Sequence, residues 1–282
     1  MVSTIGNVFQ ALTLVFALVS AVLLVASGKV ASTGAAGSGA APSTAPEPSV
    51  PIARMRHAGQ AFVYASFALL TACVGIILVC MLTENYSLAY VVSNYPATDS
   101  PLQPLYRVSA VWAGRQGSLL LWTWLISAFV AVQACRRRRA HEDLTLVALG
   151  VAQVIVALFV AALVFSSSNN PFMPTAAEHL NADGTLASKI GGMNPLLMHW
   201  AMILHPPATF IGYAAMTLPF AYAMAALITG DLSARWVELC DRVAVFGFIF
   251  LSIGMGLGAV WAYVVLGWGG FGHGTPWRMR AL

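Results

Sequence analysis

Six stretches of this 282-residue chain, 8–26, 57–82, 119–134, 144–165, 206–228 and 243–266, are apolar over lengths close to the thickness of a bilayer. A membrane-crossing helix needs about 20 predominantly apolar residues. In lipid, every backbone N–H and C=O must be bonded within the protein, and a helix meets that demand alone. The expected fold is therefore all-α, a polytopic transmembrane helix bundle of about six spans. Charge agrees: 9% of residues are Asp, Glu, Lys or Arg, against roughly 25% in a soluble domain. So little charge cannot cover a water-facing surface, and the net charge of +4 is no argument for nucleic acid.

The first stretch is long for a secretory signal, has no basic segment before it and no small-residue cleavage site after it. It is expected to be retained, as a first transmembrane helix over 1–28. Residues 32–51 are Ala, Ser, Gly, Thr and Pro with little to pack, so 29–56 is expected to be a low-complexity cytoplasmic linker. Between the spans lie two longer loops, 83–118 and 166–205, where chemistry can be exposed.

Basic residues orient the chain, because Lys and Arg gather on the cytoplasmic side. With the N-terminus outside, Lys29, Arg54, Arg56, the four arginines 136–139, Arg235 and Arg242 are inside, while Arg107, Arg115 and Lys189 are outside. The opposite arrangement exports four consecutive arginines. The N-terminus and both long loops are therefore expected outside.

Cys73, Cys80, Cys135 and Cys240 show no CxxC or metal-binding spacing, which argues against thiol redox chemistry. No Walker motif, GxSxG elbow or paired-carboxylate site is present, so hydrolysis has no support. A quinone-linked redox subunit or transporter calls for an intramembrane charged pair, and the six spans offer no convincing one.

Histidine and aromatic residues are more telling. In Asn194-Pro-Leu-Leu-Met-His199-Trp200-Ala-Met-Ile-Leu-His205-Pro206-Pro207, Pro206-Pro207 is expected to open the fifth span, since Pro is tolerated in a first helical turn. That leaves His205 at the outer mouth, either as an axial haem ligand or as an interfacial cap of the helix entrance. His199 is a second ligand or an interfacial anchor. Gly254 and Gly258 form a small-xxx-small pair suited to close helix approach. Trp261 and Trp268 form an aromatic belt at the interface or a flat porphyrin platform. Arg107 and Arg115, both outside, suit haem propionates or lipid phosphates.

Four segments in order resemble the CcmF family of cytochrome c haem lyases: Tyr86-Ser-Leu-Ala-Tyr-Val-Val-Ser-Asn94, Val111-Trp-Ala-Gly-Arg-Gln-Gly-Ser-Leu-Leu-Leu-Trp122, His205-Pro-Pro-Ala-Thr-Phe-Ile-Gly-Tyr213 and Gly258-Ala-Val-Trp-Ala-Tyr-Val-Val-Leu-Gly-Trp-Gly-Gly270. The resemblance implies that 57–270 is the N-terminal part of a haem-lyase membrane domain. It implies a cytoplasmic (inner) membrane protein whose outer loops handle haem b as substrate. His205 would be the first of two extracytoplasmic histidines holding that haem, with Trp261, Trp268, Arg107 and Arg115 around it. The implied partners are apocytochrome c, whose CxxCH thiols accept the vinyl groups, a haem carrier protein, other cytochrome c maturation membrane proteins and membrane lipid. A second, transmembrane haem is expected of the full-length family, with ligands beyond this chain.

After Gly270 the family expects a stretch like Phe-Trp-Ala-Trp-Asp-Pro-Val-Glu-Asn-Ala-Ser, whereas this chain reads Phe271-Gly-His-Gly-Thr-Pro-Trp-Arg-Met-Arg-Ala-Leu282. Removing one base from a codon choice for the first string yields the second through its Ala. Residues 271–282 are therefore expected to be an out-of-frame tail that lacks the Trp-rich motif. The alternative function is a non-catalytic membrane scaffold that docks a separately encoded haem-lyase half.

Overall fold

The computed structural model describes residues 1–38, 49–136, 142–181, 183–187, 191–231, 233–265 and 267, with side chains of 31–38 and 142 left aside. Trp268, the tail 271–282, linker residues 39–48 and arginines 137–139 lie outside the described residues. Eight α-helices occur among the described residues: α1 (Val2–Ser38), α2 (Val50–Leu82), α3 (Ala89–Asn94), α4 (Gln103–Ser109), α5 (Arg115–Arg136), α6 (Glu142–Val164), α7 (Trp200–Thr229) and α8 (Arg235–Val265). Six of them are long and apolar enough to cross a membrane, as expected from the sequence.

The helices run beyond the apolar cores that betray them. Helix α2 has 33 residues, about 50 Å at 1.5 Å per residue, against a hydrocarbon core of about 30 Å. Helix α1 continues to Ser38 and α2 starts at Val50, with Pro51 in its first turn. The described parts of the segment expected as a 29–56 linker, 29–38 and 50–56, are helical. Its alanines favour helix propagation, and Pro51 stands where a helix tolerates it.

Spans consecutive in the chain run antiparallel, whereas α5 and α7 run parallel, Trp122 lying against Phe210 and Gln133 against Tyr222. Ser20 Oγ in α1 donates to the Gly59 carbonyl of α2 at 2.8 Å. The α5–α7 region is tied by Gln133 Nε2 donating to Tyr222 Oη at 2.6 Å, and Tyr222 donating to Thr145 of α6 at 3.3 Å. Trp124 Nε1 donates to Thr71 Oγ1 of α2 at 2.9 Å. Such bonds carry association where lipid is as apolar as Leu and no hydrophobic drive separates helix from tail. Cys73, Cys80 and Cys240 are buried free thiols and Cys135 is an exposed one.

One end of the bundle gathers Lys29, Arg54, Arg56, Arg136 and Arg235. There Arg235, opening α8, pairs with Asp231 and with Asp143 of α6. At the other end the two long loops are stitched together. Ala89 N donates to Met173 O, Thr175 N to Ser87 O and Met193 N to Tyr95 O, all between 2.9 and 3.0 Å. Ser3 Oγ of α1 joins them through the Phe172 carbonyl at 2.6 Å.

Helix α8 packs on α7 through its small residues. A Cβ at Gly254 would collide with Thr209 Oγ1, and one at Gly258 would meet His205 Cε1 at 2.5 Å, whereas one at Gly256 would meet nothing within 4 Å. The small pair named from the sequence thus has its partner, the His205–Thr209 face of α7. Gly254→Ala and Gly258→Ala are each expected to destabilise the purified chain by about 1–3 kcal/mol through overpacking. Gly256→Ala should be neutral or stabilising by up to about 1 kcal/mol, since Ala is the better helix former. Thermal unfolding in detergent separates the three.

Candidate functional site

Helix α7 does not begin where its prolines suggest. Its N-cap is His199, whose Nδ1 accepts the Ala201 N–H at 3.2 Å. The turn before it, Pro195–Leu197, is closed by Asn194 accepting from Leu196 N at 3.0 Å. The helix starts at Trp200, so Pro206 and Pro207 lie inside it. The expected start at 206 is therefore corrected by six residues. An interior proline costs a helix the bond to the carbonyl four residues back, and at Pro206 that carbonyl is Met202 O. Trp112 Nε1 donates to it at 3.1 Å. An outside donor thus lets the helix run through Pro206.

His205 lies half-buried between α7 and α8. Its Nδ1 stands 2.7 Å from the Gly254 carbonyl. A carbonyl only accepts, so Nδ1 carries the hydrogen and, in the neutral ring, Nε2 keeps its lone pair. Such a bond fixes tautomer and orientation, as the bond from the second nitrogen does in histidines that ligate metals. Gly258 leaves room for the ring: a Cβ there would lie 2.8 Å from Nδ1 and 3.2 Å from Nε2. His199 is differently committed, because its Nδ1 accepts and its hydrogen therefore sits on Nε2 when neutral.

Trp261 stands three residues beyond Gly258 on α8, and its Nε1 donates to Leu196 O at 3.3 Å. It ties the far end of α8 to the turn that precedes α7. His205, Trp261 and Trp112 thus all engage the short segment 196–205 or its immediate α8 partner. The two arginines bind elsewhere. Arg107 donates to Glu84 Oε1 at 2.6 Å and to Leu82 O at 3.2 Å, and its guanidinium lies 5.1 Å from the Tyr95 ring centre. Glu84 holds a left-handed backbone, φ 56°, which costs about 1–2 kcal/mol in an L-residue; its ion pair helps offset that. Arg115, exposed at the start of α5, donates to Ser168 O at 2.8 Å.

Behind Trp112 stands Tyr90. Its hydroxyl donates to the Ala110 and Val111 carbonyls at 2.9 and 3.0 Å and accepts the Gly114 N–H at 3.2 Å. Burial pushes this hydroxyl's pKa up, an effect the Gly114 N–H only partly opposes. It therefore stays a neutral donor. Gly117 completes the fit, because a Cβ there would meet the Val111 carbonyl and the Tyr90 hydroxyl. Ser118 Oγ then donates to the Trp112 carbonyl at 2.7 Å. The sequence singled out neither Tyr90 nor the indole of Trp112; the one signal was Pro206, which announces an orphaned carbonyl at 202 without naming its donor.

Tyr90→Phe removes the shared donor of a buried turn. The expected cost is about 1–3 kcal/mol, read as a lowered unfolding midpoint in detergent. Gly117→Ala is expected to cost more than Tyr90→Phe, since the colliding atom is backbone.

Comparison with known proteins gives this geometry its setting. The family model described as cytochrome C assembly protein matches residues 112–273, more than half of the chain. The cytochrome c-type biogenesis protein CcmF of Haemophilus influenzae is 32% identical over 213 residues, 76% of this chain and 31% of that protein. Rhodobacter capsulatus ccl1, also a cytochrome c-type biogenesis protein, is 34% identical over 77% of this chain and 31% of its own length. The probable cytochrome c-type biogenesis protein NrfE of Escherichia coli is 33% identical over 78% and 38%. A solved cytochrome c haem lyase CcmF shares the fold, with a TM-score of 0.70 at 24% identity over 96% of this chain and 38% of that one. The chain spans about a third of the length of the curated relatives it matches. The matched region holds His205, Gly254, Gly258 and Trp261, and on that match the chain belongs to the cytochrome C assembly protein family.

Proposed function

We propose that this chain handles haem for covalent attachment to apocytochrome c, receiving it on His205 at the mouth between α7 and α8. The observation that carries this is the 2.7 Å contact between His205 Nδ1 and the Gly254 carbonyl. A ring held this way offers iron the lone pair of Nε2. On this reading the haem is haem b, and it is a substrate. Trp261 supplies aromatic surface, with Trp268, outside the described residues, proposed beside it, and Arg115, exposed and bonded among the described residues to the Ser168 carbonyl, is the better candidate for a propionate. Arg107, held by the Glu84 carboxylate, is assigned the duty of fixing the first loop.

The loop end is inferred to face outward across a cytoplasmic membrane, because the basic end gathers Lys29, Arg54, Arg56, Arg136 and Arg235. Partners on this reading are apocytochrome c, a haem carrier, other cytochrome c maturation membrane proteins and lipid. A transmembrane haem, if the full-length family carries one, finds no role in the residues assigned here. The ligation reaction belongs to the whole architecture of the relatives, and the share proposed for this chain is haem reception. A second reading, a scaffold that docks a separately encoded half, is favoured by α8 being the least covered of the six spans among the described residues, with 11% of its apolar window buried against 33–56% in the others.

The test is a haem titration of the full chain in lipid nanodiscs, followed by absorbance. His205→Ala is expected to weaken binding by about tenfold or more, a loss of about 1.4 kcal/mol or more, with added imidazole restoring the ligated spectrum. Unchanged affinity and spectrum in His205→Ala would leave the scaffold reading in possession.

A further inference from the structure

We infer that Trp112 is the positioning residue of His205, acting through the carbonyl that Pro206 orphans. This inference rests on the reading of His205 as the haem-receiving residue, but its physical basis is independent of haem.

In an unbroken α-helix the N–H of residue 206 would bond Met202 O, and that of residue 207 would bond Ile203 O. Prolines at both positions remove both donors. Two successive ladder bonds, those to Met202 O and Ile203 O, are therefore missing on either side of His205. Met202 is 7% exposed, in a helix that enters the membrane, where an unpaired carbonyl is costly. The indole N–H of Trp112 takes that carbonyl at 3.1 Å. It replaces a flexible local bond with one from a different element.

The element that delivers it is braced. The Trp112 carbonyl accepts from Ser118 Oγ, and the carbonyls of the two residues before it both accept from Tyr90. Gly117 lets Tyr90 approach the turn. The segment 110–118 is thus a strut from the first loop onto α7, meeting it three residues before His205. On its other side His205 is held by Gly254 of α8. His205 is thus held at its ring by α8 and through its helix backbone at Met202 by the strut, and the proline is what makes the second hold necessary. Among the described residues no hydrogen bond or ring pair joins Trp112 to the imidazole, so its action runs through the Met202 carbonyl.

The experiment is a double-mutant cycle in the full chain, read by amide hydrogen exchange over 200–209 without haem and by haem titration. Trp112→Phe keeps an aromatic ring, deletes the N–H and gives up some packing volume, a loss that the cycle cancels because it is common to both backgrounds. It is expected to speed exchange in this segment by about tenfold, the usual cost of a buried orphaned acceptor. It should also weaken haem binding in parallel. Pro206→Ala restores a backbone donor to Met202 O. In that background Trp112→Phe is expected to change exchange by no more than about twofold, the ordinary additivity error.

An equal loss in both backgrounds would assign Trp112 to packing and overturn the inference, as would no loss in either. If the exchange coupling holds while the unmutated chain binds no haem, the strut stands and the haem-receiving reading falls. The two failures are therefore distinguishable.

Discussion

The close approach of α7 and α8 at His205 governs the arrangement at the loop end of the bundle. The imidazole can reach the Gly254 carbonyl only because residue 258 has no Cβ, and Thr209 can lie beside Gly254 for the same reason. In lipid, helices gain nothing from hiding apolar surface from one another, so association depends on packing and interhelical bonds. Here one polar side chain supplies both: its ring fills the space over Gly258 and its N–H crosses to the neighbouring backbone. The consequence for chemistry is that the tautomer is set by the fold, not by whatever binds later.

Prolines make the same region depend on the rest of the loop end. Pro206 and Pro207 loosen α7 at the residue that most needs a fixed direction. The missing donor comes from Trp112, and Trp112 is placed by Tyr90, Gly117 and Ser118. Two of the segments that resemble the CcmF family, 86–94 and 111–122, thus meet through hydrogen bonds, and Trp112 carries them to Met202, three residues before the third, 205–213. The fourth, from Gly258, joins them through the His205 contact and through Trp261 on Leu196. Segments that read as four separate motifs along the chain are parts of one support.

The six spans were legible because bilayer thickness forces a length on apolar runs, whatever the tertiary structure. Their ends were not, since helices extend through interfacial polar residues; α1 runs on to Ser38 where composition suggested a linker. The start of α7 was misread for a specific reason. Pro is allowed in a first turn because its missing bond has no partner there, and the same condition is met in a helix interior when another element bonds the freed carbonyl. The Gly254–Gly258 pair announced a close approach but not its partner. Arg107 announced a charge outside the membrane, but its pairing with Glu84, 23 residues earlier, depends on a left-handed turn with no glycine to mark it. His199 was open between ligand and anchor, and its capping bond to Ala201 N decides its place as the start of a helix.

The tautomer of His205 bears on all of this. Solid-state nitrogen NMR of the chain, labelled at histidine and embedded in lipid at a pH where the ring is neutral, distinguishes a protonated Nδ1 from a protonated Nε2. A His205 signal protonated at Nδ1, and lost in His205→Gln, is the predicted result. A ring protonated at Nε2 would mean that the Gly254 contact does not hold the imidazole, and that no lone pair is kept ready for iron.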